Sequence, residues 1–191
     1  MQSLSMKRVA SGFATIIFAF ALTALPVCPA FGASRAAINK EVSAALNHLY
    51  ATNPAAKTLG AKAKAVLVFP SVVKAGFIVG GQAGNGALRK GGKTVGYYNV
   101  AAASYGLQAG AQQFGYALFF MTDSALAYLD KSNGWEIGTG PSLVVVDEGM
   151  AKSLSTTTLQ SDVYALIFSQ KGLMGGIGIQ GSKITKINPG K

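Results

Sequence analysis

Three stretches of this chain share one pattern. Gly76-Phe77-Ile78-Val79-Gly80, Gly106-Leu107-Gln108-Ala109-Gly110 and Gly172-Leu173-Met174-Gly175-Gly176 each read Gly-apolar-x-x-Gly, inside apolar runs of strand character. Glycine in a strand interior weakens it and is tolerated where the sheet bulges, bends sharply or meets another backbone. Three such segments predict a compact, strongly bent β-structure whose sheets, or a ligand, come very near the main chain. The motifs start thirty and then sixty-six residues apart, so they mark recurrent strand geometry rather than a regular repeat.

Of 191 residues, 50% are hydrophobic and 13% charged, which suits one domain with a real core and excludes a disordered tail. The N-terminus has its own character. Met6-Lys7-Arg8 is a positive head, Phe13 to Leu25 is uncharged and apolar, and Pro26 and Pro29 break any helix that follows. Ala30-Phe31-Gly32 supplies small residues before a cut at Ala33. This is the layout of a secretory signal peptide. Residues 1–32 are therefore expected to be the signal and residues 33–191 a single domain.

Two other fates are weaker on chemical grounds. A retained anchor needs ~20 apolar residues, and this run is shorter and ends in prolines. Acylation of Cys28 needs a small residue before it, where Val27 stands. Cleavage removes Lys7, Arg8 and Cys28, leaving 15 basic and 7 acidic residues, a formal +8, and no cysteine. The mature chain would enter an oxidising compartment without a disulfide, held by packing and hydrogen bonds alone.

Ile38, Val42, Ala45, Leu46, Leu49 and Tyr50 fall on one face of an α-helix, with Asn39, Lys40, Ser43, Asn47 and His48 largely on the other. Asn53-Pro54 reads as an N-cap followed by proline at the first helical position, opening a short helix that Gly60 ends. From Ala65 the period changes. Ala65 to Phe69 reads as a buried strand stopped by Pro70, and Ala75 to Leu88 and Lys93 to Ala103 as strands joined by a basic turn, Arg89-Lys90-Gly91-Gly92. Gly106 to Met121 suits two strands or one strongly bent strand. Asp123 to Lys131 reads as a short helix capped by Thr122 or Asp123, with a turn at Ser132-Asn133-Gly134. Leu143 to Val146, Val163 to Ser169 and Leu173 to Ile187 supply at least three more strands, while Ser155 to Leu159 is loop-like. About eight strands, several in succession without helices, predict an α+β, β-rich fold. Its N-terminal helices would pack on a mainly antiparallel, strongly bent β-sandwich or barrel-like core.

The residue inventory argues against catalysis. His48 is the only histidine and Cys28 the only cysteine, so zinc sites and nucleophilic triads lack ligands or a base. No catalytic residue, metal site or cofactor is expected. The seven carboxylates are dispersed, and adjacent Asp147 and Glu148 would face opposite sides of a strand. Gly176-Ile177-Gly178-Ile179-Gln180-Gly181 matches the dinucleotide fingerprint literally, but too little chain follows for the helix and distal acid it requires. Gly92-Lys93-Thr94 lacks the first glycine of a phosphate loop, since Ala87 stands there. The cations are more suggestive. Lys57, Lys62, Lys64 and Lys74 flank the join of helices and β-core, and Arg89, Lys90 and Lys93 cluster at one turn. Each is a candidate contact for an acidic headgroup. Their bland alternative is a solvated surface that keeps an apolar domain soluble.

The run Lys62 to Pro70 (KAKAVLVFP), with Lys74 to Gly81 (KAGFIVGG), Gly84 to Leu88 (GNGAL) and Ser104 to Gly110 (SYGLQAG), resembles the SYLF-domain family. So does Tyr164 to Gly176, ending in Gly172-Leu173-Met174-Gly175-Gly176, with Ile179-Gln180-Gly181-Ser182 behind it. The resemblance spans roughly Ile38 to Ile187, in order. It implies a non-enzymatic lipid-binding domain, phosphoinositide-binding and sometimes actin-binding in eukaryotic relatives and exported in bacterial ones. The family's membrane-binding amphipathic helix maps onto Ile38 to Ala51, although Lys40 is its only basic residue and Glu41 offsets it. Actin binding is not carried over to an exported chain.

The expectation is an exported protein of a bacterial periplasm or cell envelope, with lipid anchoring through Cys28 as the alternative location. Its partner would be anionic phospholipid, a membrane surface or another amphiphile, and not nucleic acid. The competing reading is an envelope module that binds a protein or a second copy of itself.

Overall fold

The computed structural model describes residues 33–131, 134–146, 160–172 and 181–190, without the side chains of 77–78 and 104–109. Two helices open it. Helix α1 (Arg35–Thr52) begins where the Ser34 hydroxyl accepts from the Ala37 amide, and it buries Ile38, Val42 and Leu49. Helix α2 (Pro54–Lys62) follows at once. Asn53 serves both, donating its amide to the Leu49 carbonyl at 2.9 Å while its side chain accepts from the Ala56 amide at 3.1 Å. Proline at the first position of α2 forfeits an amide that had no helical partner.

Two very long strands then make the body, β1 (Ala65–Lys90) and β2 (Lys93–Phe120), antiparallel and joined at Gly91-Gly92. Four of the expected strands are therefore two. Pro70 does not stop β1: the register shifts between Phe69 and Val72, so the residue without an N–H falls in an irregularity. Strand β1 also pairs only with β2 among the described residues, and such an edge strand tolerates proline. The remaining elements are α3 (Asp123–Leu129), capped by Thr122, and the strands β3 (Trp135–Glu136), β4 (Leu143–Val145), β5 (Val163–Gly172) and β6 (Lys183–Ile187). Strands β5 and β6 both add to β2, along different parts of its length, and β4 lies parallel to β5. The result is an α+β fold: N-terminal helices on a strongly curled, mainly antiparallel half-barrel of six strands among the described residues.

The glycines mark where the half-barrel bends. Gly76 and Gly110 are direct cross-strand partners, and the pairing slips between Phe77 and Val79. A Cβ on Gly76 would lie 2.4 Å from the Gly80 Cα, so the two ends of the first motif nearly touch. Gly110 has φ 144° and Gly172 has φ 103°, a region that L-residues avoid. Gly172 pairs with Gln112, two residues from Gly110. The described parts of all three motifs thus lie along one line across β1, β2 and β5. Past it, the far half of β1 crosses its own beginning: a Cβ on Gly86 would meet the Val68 carbonyl oxygen at 2.3 Å.

The two faces bury different clusters. The inner face joins Leu67, Phe69, Val72, Phe114, Tyr116, Leu118 and Phe120 to Trp135, α3 and the far half of the hairpin. On the outer face, the apolar sides of α1 and α2 cover Val66, Val68, Ala87, Ala117, Phe119, Tyr164 and Leu166. Residues 1–32, 132–133, 147–159 and 173–180 lie outside the described residues, and with them the signal segment, most of the turn at Ser132, Asp147, Glu148, the loop-like 155–159 and most of the third motif and of the literal dinucleotide match.

Candidate functional site

A cleft of about 460 Å³ opens between α1, the end of α2, the start of β1 and the β1–β2 turn. Helix α1 contributes Ser43, Asn47 and Tyr50 to its wall, the α2–β1 junction contributes Gly60 and Lys64, and the hairpin contributes Arg89 with Gly91 and Gly92. Tyr50 lies flat over the helix end, so a Cβ on Gly60 would meet its hydroxyl oxygen at 2.3 Å. Burial pushes the Tyr50 phenol above its ordinary pKa, keeping it a neutral hydroxyl. Arg89 is half-buried, and its guanidinium donates to the Ser43 hydroxyl and lies within reach of the Asn39 carbonyl. Asn39 in turn accepts from the Thr94 hydroxyl at 2.8 Å and donates to the Tyr97 hydroxyl at 2.9 Å. This small network ties α1 to the hairpin and fixes Arg89 at the rim.

The structure brings some of the seven expected cations together and separates others. Lys64 and Arg89 share the cleft, and exposed Lys90 and Lys93 flank the two turn glycines that line it. Lys57 and Lys62 are exposed on α2, with Lys62 in the last turn, where the helix dipole favours a cation. Lys74 belongs elsewhere. It is buried on the inner face, paired in register with buried Gln112. Of the other six, only Lys64 meets a described carboxylate, Asp123 at 3.8 Å, and that exposed pair holds it weakly.

The reading of α1 as an apolar face backed by a polar one misses what Asn39 and Ser43 do. Both are partly buried against the hairpin rather than facing water. The usable signal is their size: short Asn and Ser flank the apolar stripe where a solvated helix side would carry Lys or Glu.

Two of the described acidic residues, Asp162 and Asp130, join elements of the fold. Asp162 accepts from the Ser142 hydroxyl at 2.8 Å, the Ser142 amide and the Thr122 hydroxyl, each at 3.1 Å, and these bonds lower its pKa, the Ser142 hydroxyl most. Asp130 accepts from Lys186 and Tyr98, both at 2.9 Å, and is likewise lowered, chiefly by Lys186. His48 is exposed on α1. Among the described residues no group of three or more His, Cys, Asp or Glu is placed to hold a metal ion. Gly92-Lys93-Thr94 forms a hairpin turn and strand start, with no helix behind it to bind phosphate.

The described residues thus form a half-barrel with a helix-capped, cation-rimmed cleft, the geometry of a binding surface. Residues 101–188 match the family described as Ysc84, Las17-binding protein actin regulator. No curated protein matches the chain. The match is at the level of the family and covers β2 from Ala101 through β6, so all seven cations lie N-terminal to it. Family match and curled sheet together are consistent with a domain that interacts with lipid or a membrane surface. No helix among the described residues is long and apolar enough to cross a membrane.

Proposed function

We propose that the protein binds anionic phospholipid, with phosphoinositide-like headgroups as the natural ligand class, or a similar anionic amphiphile at the bacterial cell envelope. The headgroup enters the cleft between Lys64 and Arg89, and Lys57, Lys62, Lys90 and Lys93 draw the protein to the surface around it. Lys74, inside the barrel, has no part in this capture. The observation that carries the reading is the cleft itself, whose lining holds two cations, Lys64 and Arg89, and otherwise only neutral polar and apolar residues. Each cation near an anionic surface is worth about 1 kcal/mol, roughly fivefold in partitioning. In this reading the chain reaches the envelope by export, with cleavage before Ala33.

Co-sedimentation with vesicles tests it. Binding should rise with the fraction of anionic lipid, fall as salt screens the attraction, and drop roughly fivefold for Lys64→Ala and again for Lys93→Ala. Equal and negligible binding to neutral and anionic vesicles at low salt rejects the proposal. The description of the matching family, a regulator that binds a protein, favours one second reading: an envelope module for a protein partner. In that case binding to the partner persists without lipid, and charge changes at Arg89 and Lys90 alter it little.

A further inference from the structure

Residues paired across a sheet share a face, so the register maps the outer surface of the half-barrel. Beyond the reach of α1 and α2 its cross-strand rows are Val73–Gln113–Lys171, Ala75–Ala111, Gly81–Ala103 and Ala83–Ala101–Lys183–Glu136. Every one of these residues is exposed. Val79, at the bend between the two halves of β1, is 63% exposed and Val73 51%, the first being the highest among the large apolar residues described. The helices bury the same face of the same strands at the other end, so among the described residues the outer surface is covered over one half and bare over the other.

What distinguishes the bare half is composition. Neither residues 75–88 nor residues 94–122 contain a single charged side chain. A soluble sheet ordinarily solvates such a face with Lys, Glu or Thr and guards its edge with charge. Here Val, Ala and Gly meet water instead, and the cations appear only where β5 and β6 flank the patch, Lys171 on one side and Lys183, beside Glu136, on the other. An exposed apolar patch with a polar rim marks a contact surface. A second copy would bring together two chains that each carry a formal +8 after cleavage, whereas an anionic bilayer attracts that charge and accepts the apolar patch.

We propose that the bare outer face of the β1–β2 hairpin is the membrane-docking surface. Val79 and Val73 enter the headgroup–acyl boundary, the alanines and glycines lie flat upon it, and Lys171 and Lys183 reach lipid phosphates. The inference rests on the lipid-binding reading and adds to it the face that meets the bilayer, distinct from the cleft.

The test uses the chain from Ala33, which has no cysteine, with a bimane dye on Val79→Cys or, as control, on Ala127→Cys of α3, which is exposed and outside the cleft lining. Vesicles of equal parts phosphatidylcholine and phosphatidylglycerol carry doxyl-labelled lipid as quencher. The dye at position 79 should shift to the blue and be quenched, while that at position 127 stays in water. Val79→Asp and Ala103→Asp should each weaken co-sedimentation about tenfold with unchanged thermal unfolding, and Val79→Leu should retain it. If the unlabelled protein co-sediments but the position 79 dye stays in water and both Asp variants bind normally, the docking face is refuted while lipid binding stands. If the unlabelled protein ignores anionic vesicles, the underlying reading fails first. If Val79→Asp turns an oligomer into a monomer without changing vesicle binding, the face belongs to a second copy and the inference falls.

Discussion

Gly86→Ala isolates the claim that the hairpin folds across itself. Gly86 is buried, and its φ lies outside the left-handed region, so a methyl group meets no backbone strain of its own. On an open strand this substitution would stabilise the protein by about 0.4–1 kcal/mol, because alanine restricts the unfolded chain more than glycine does. In the folded protein the new Cβ lands 2.3 Å from the Val68 carbonyl oxygen, 2.6 Å from Phe69 Cδ1 and 2.9 Å from the Val68 carbonyl carbon. Two of those atoms are backbone and cannot rotate away, so the two halves of β1 must separate by most of an ångström. Overpacking of this kind costs about 1–3 kcal/mol, and in a domain this size 3 kcal/mol lowers Tm by about 6–12 °C. Gly81→Ala is the internal control. Gly81 is exposed and its Cβ would come no nearer than 3.6 Å to the Ala102 carbonyl oxygen, so that variant should be neutral or slightly stabilised. Circular-dichroism melts and urea titrations of both read the difference. A Gly86→Ala variant as stable as Gly81→Ala would refute the close crossing and the half-barrel built on it.

The joints at α3 and the edge of the sheet give two further expectations. Thr122→Ala should cost about 1–2 kcal/mol in urea unfolding, since its hydroxyl accepts from the Ala125 amide and also bonds Asp162; a change under 0.5 kcal/mol would show that this cap is idle. Asp130 is held below its ordinary value of 3.8, so its contribution is complete above that pH and lost as pH falls through the lower folded value. Tyr98 is pushed far above its ordinary 10.0, mainly by burial and then by the Asp130 bond, so its contribution is complete below pH 10 and lost as pH rises toward the folded value. Asp130→Asn should therefore flatten the acid limb of a Tm-against-pH profile and reduce the alkaline limb only in part, since burial is the larger cause there; an unchanged acid limb refutes the assignment.

What the sequence disclosed follows the range of each interaction. The apolar stripe of α1, Asn53 as the N-cap of α2 and proline at its head are settled within four residues and stand in the structure, as does the α3 cap, where Thr122 rather than Asp123 takes the role. The glycine motifs announced a bent sheet, and the bend lies on them. Strand number was less legible, because Pro70 looks like a terminator to any local rule, and only its place on an edge strand beside a register shift makes it tolerable. The cleft was half legible. Basic residues on both sides of it stood out by charge, but that Lys64 and Arg89 line one cleft, and Lys74 turns inward, depends on which way each half of β1 faces after the bulge. Asn39 and Ser43 escaped because a polar residue that bonds across an interface looks, in one dimension, like a solvated one.

The bend and the cleft are one structural fact. Lys64 and Ala65 stand at the start of β1 and Arg89 near its end, and an extended strand of that length would hold them roughly 80 Å apart. They line the same cleft only because the hairpin doubles back at Gly76–Gly80 and returns its turn to the helices that precede it. The same doubling leaves Val79 and the small residues around it outside, past the ends of α1 and α2, with nothing among the described residues to cover them. Glycine at the bend therefore serves both surfaces: its missing side chain lets the two halves of β1 cross, which assembles a cationic cleft at one end and strips the other end of any cover. A protein that only needed a stable sheet could run its strands straight, with alanine in place of glycine, and put charge on their outer face. Leaving that face uncharged forgoes solubility, and the proposed docking to an anionic, partly apolar surface supplies a use for it.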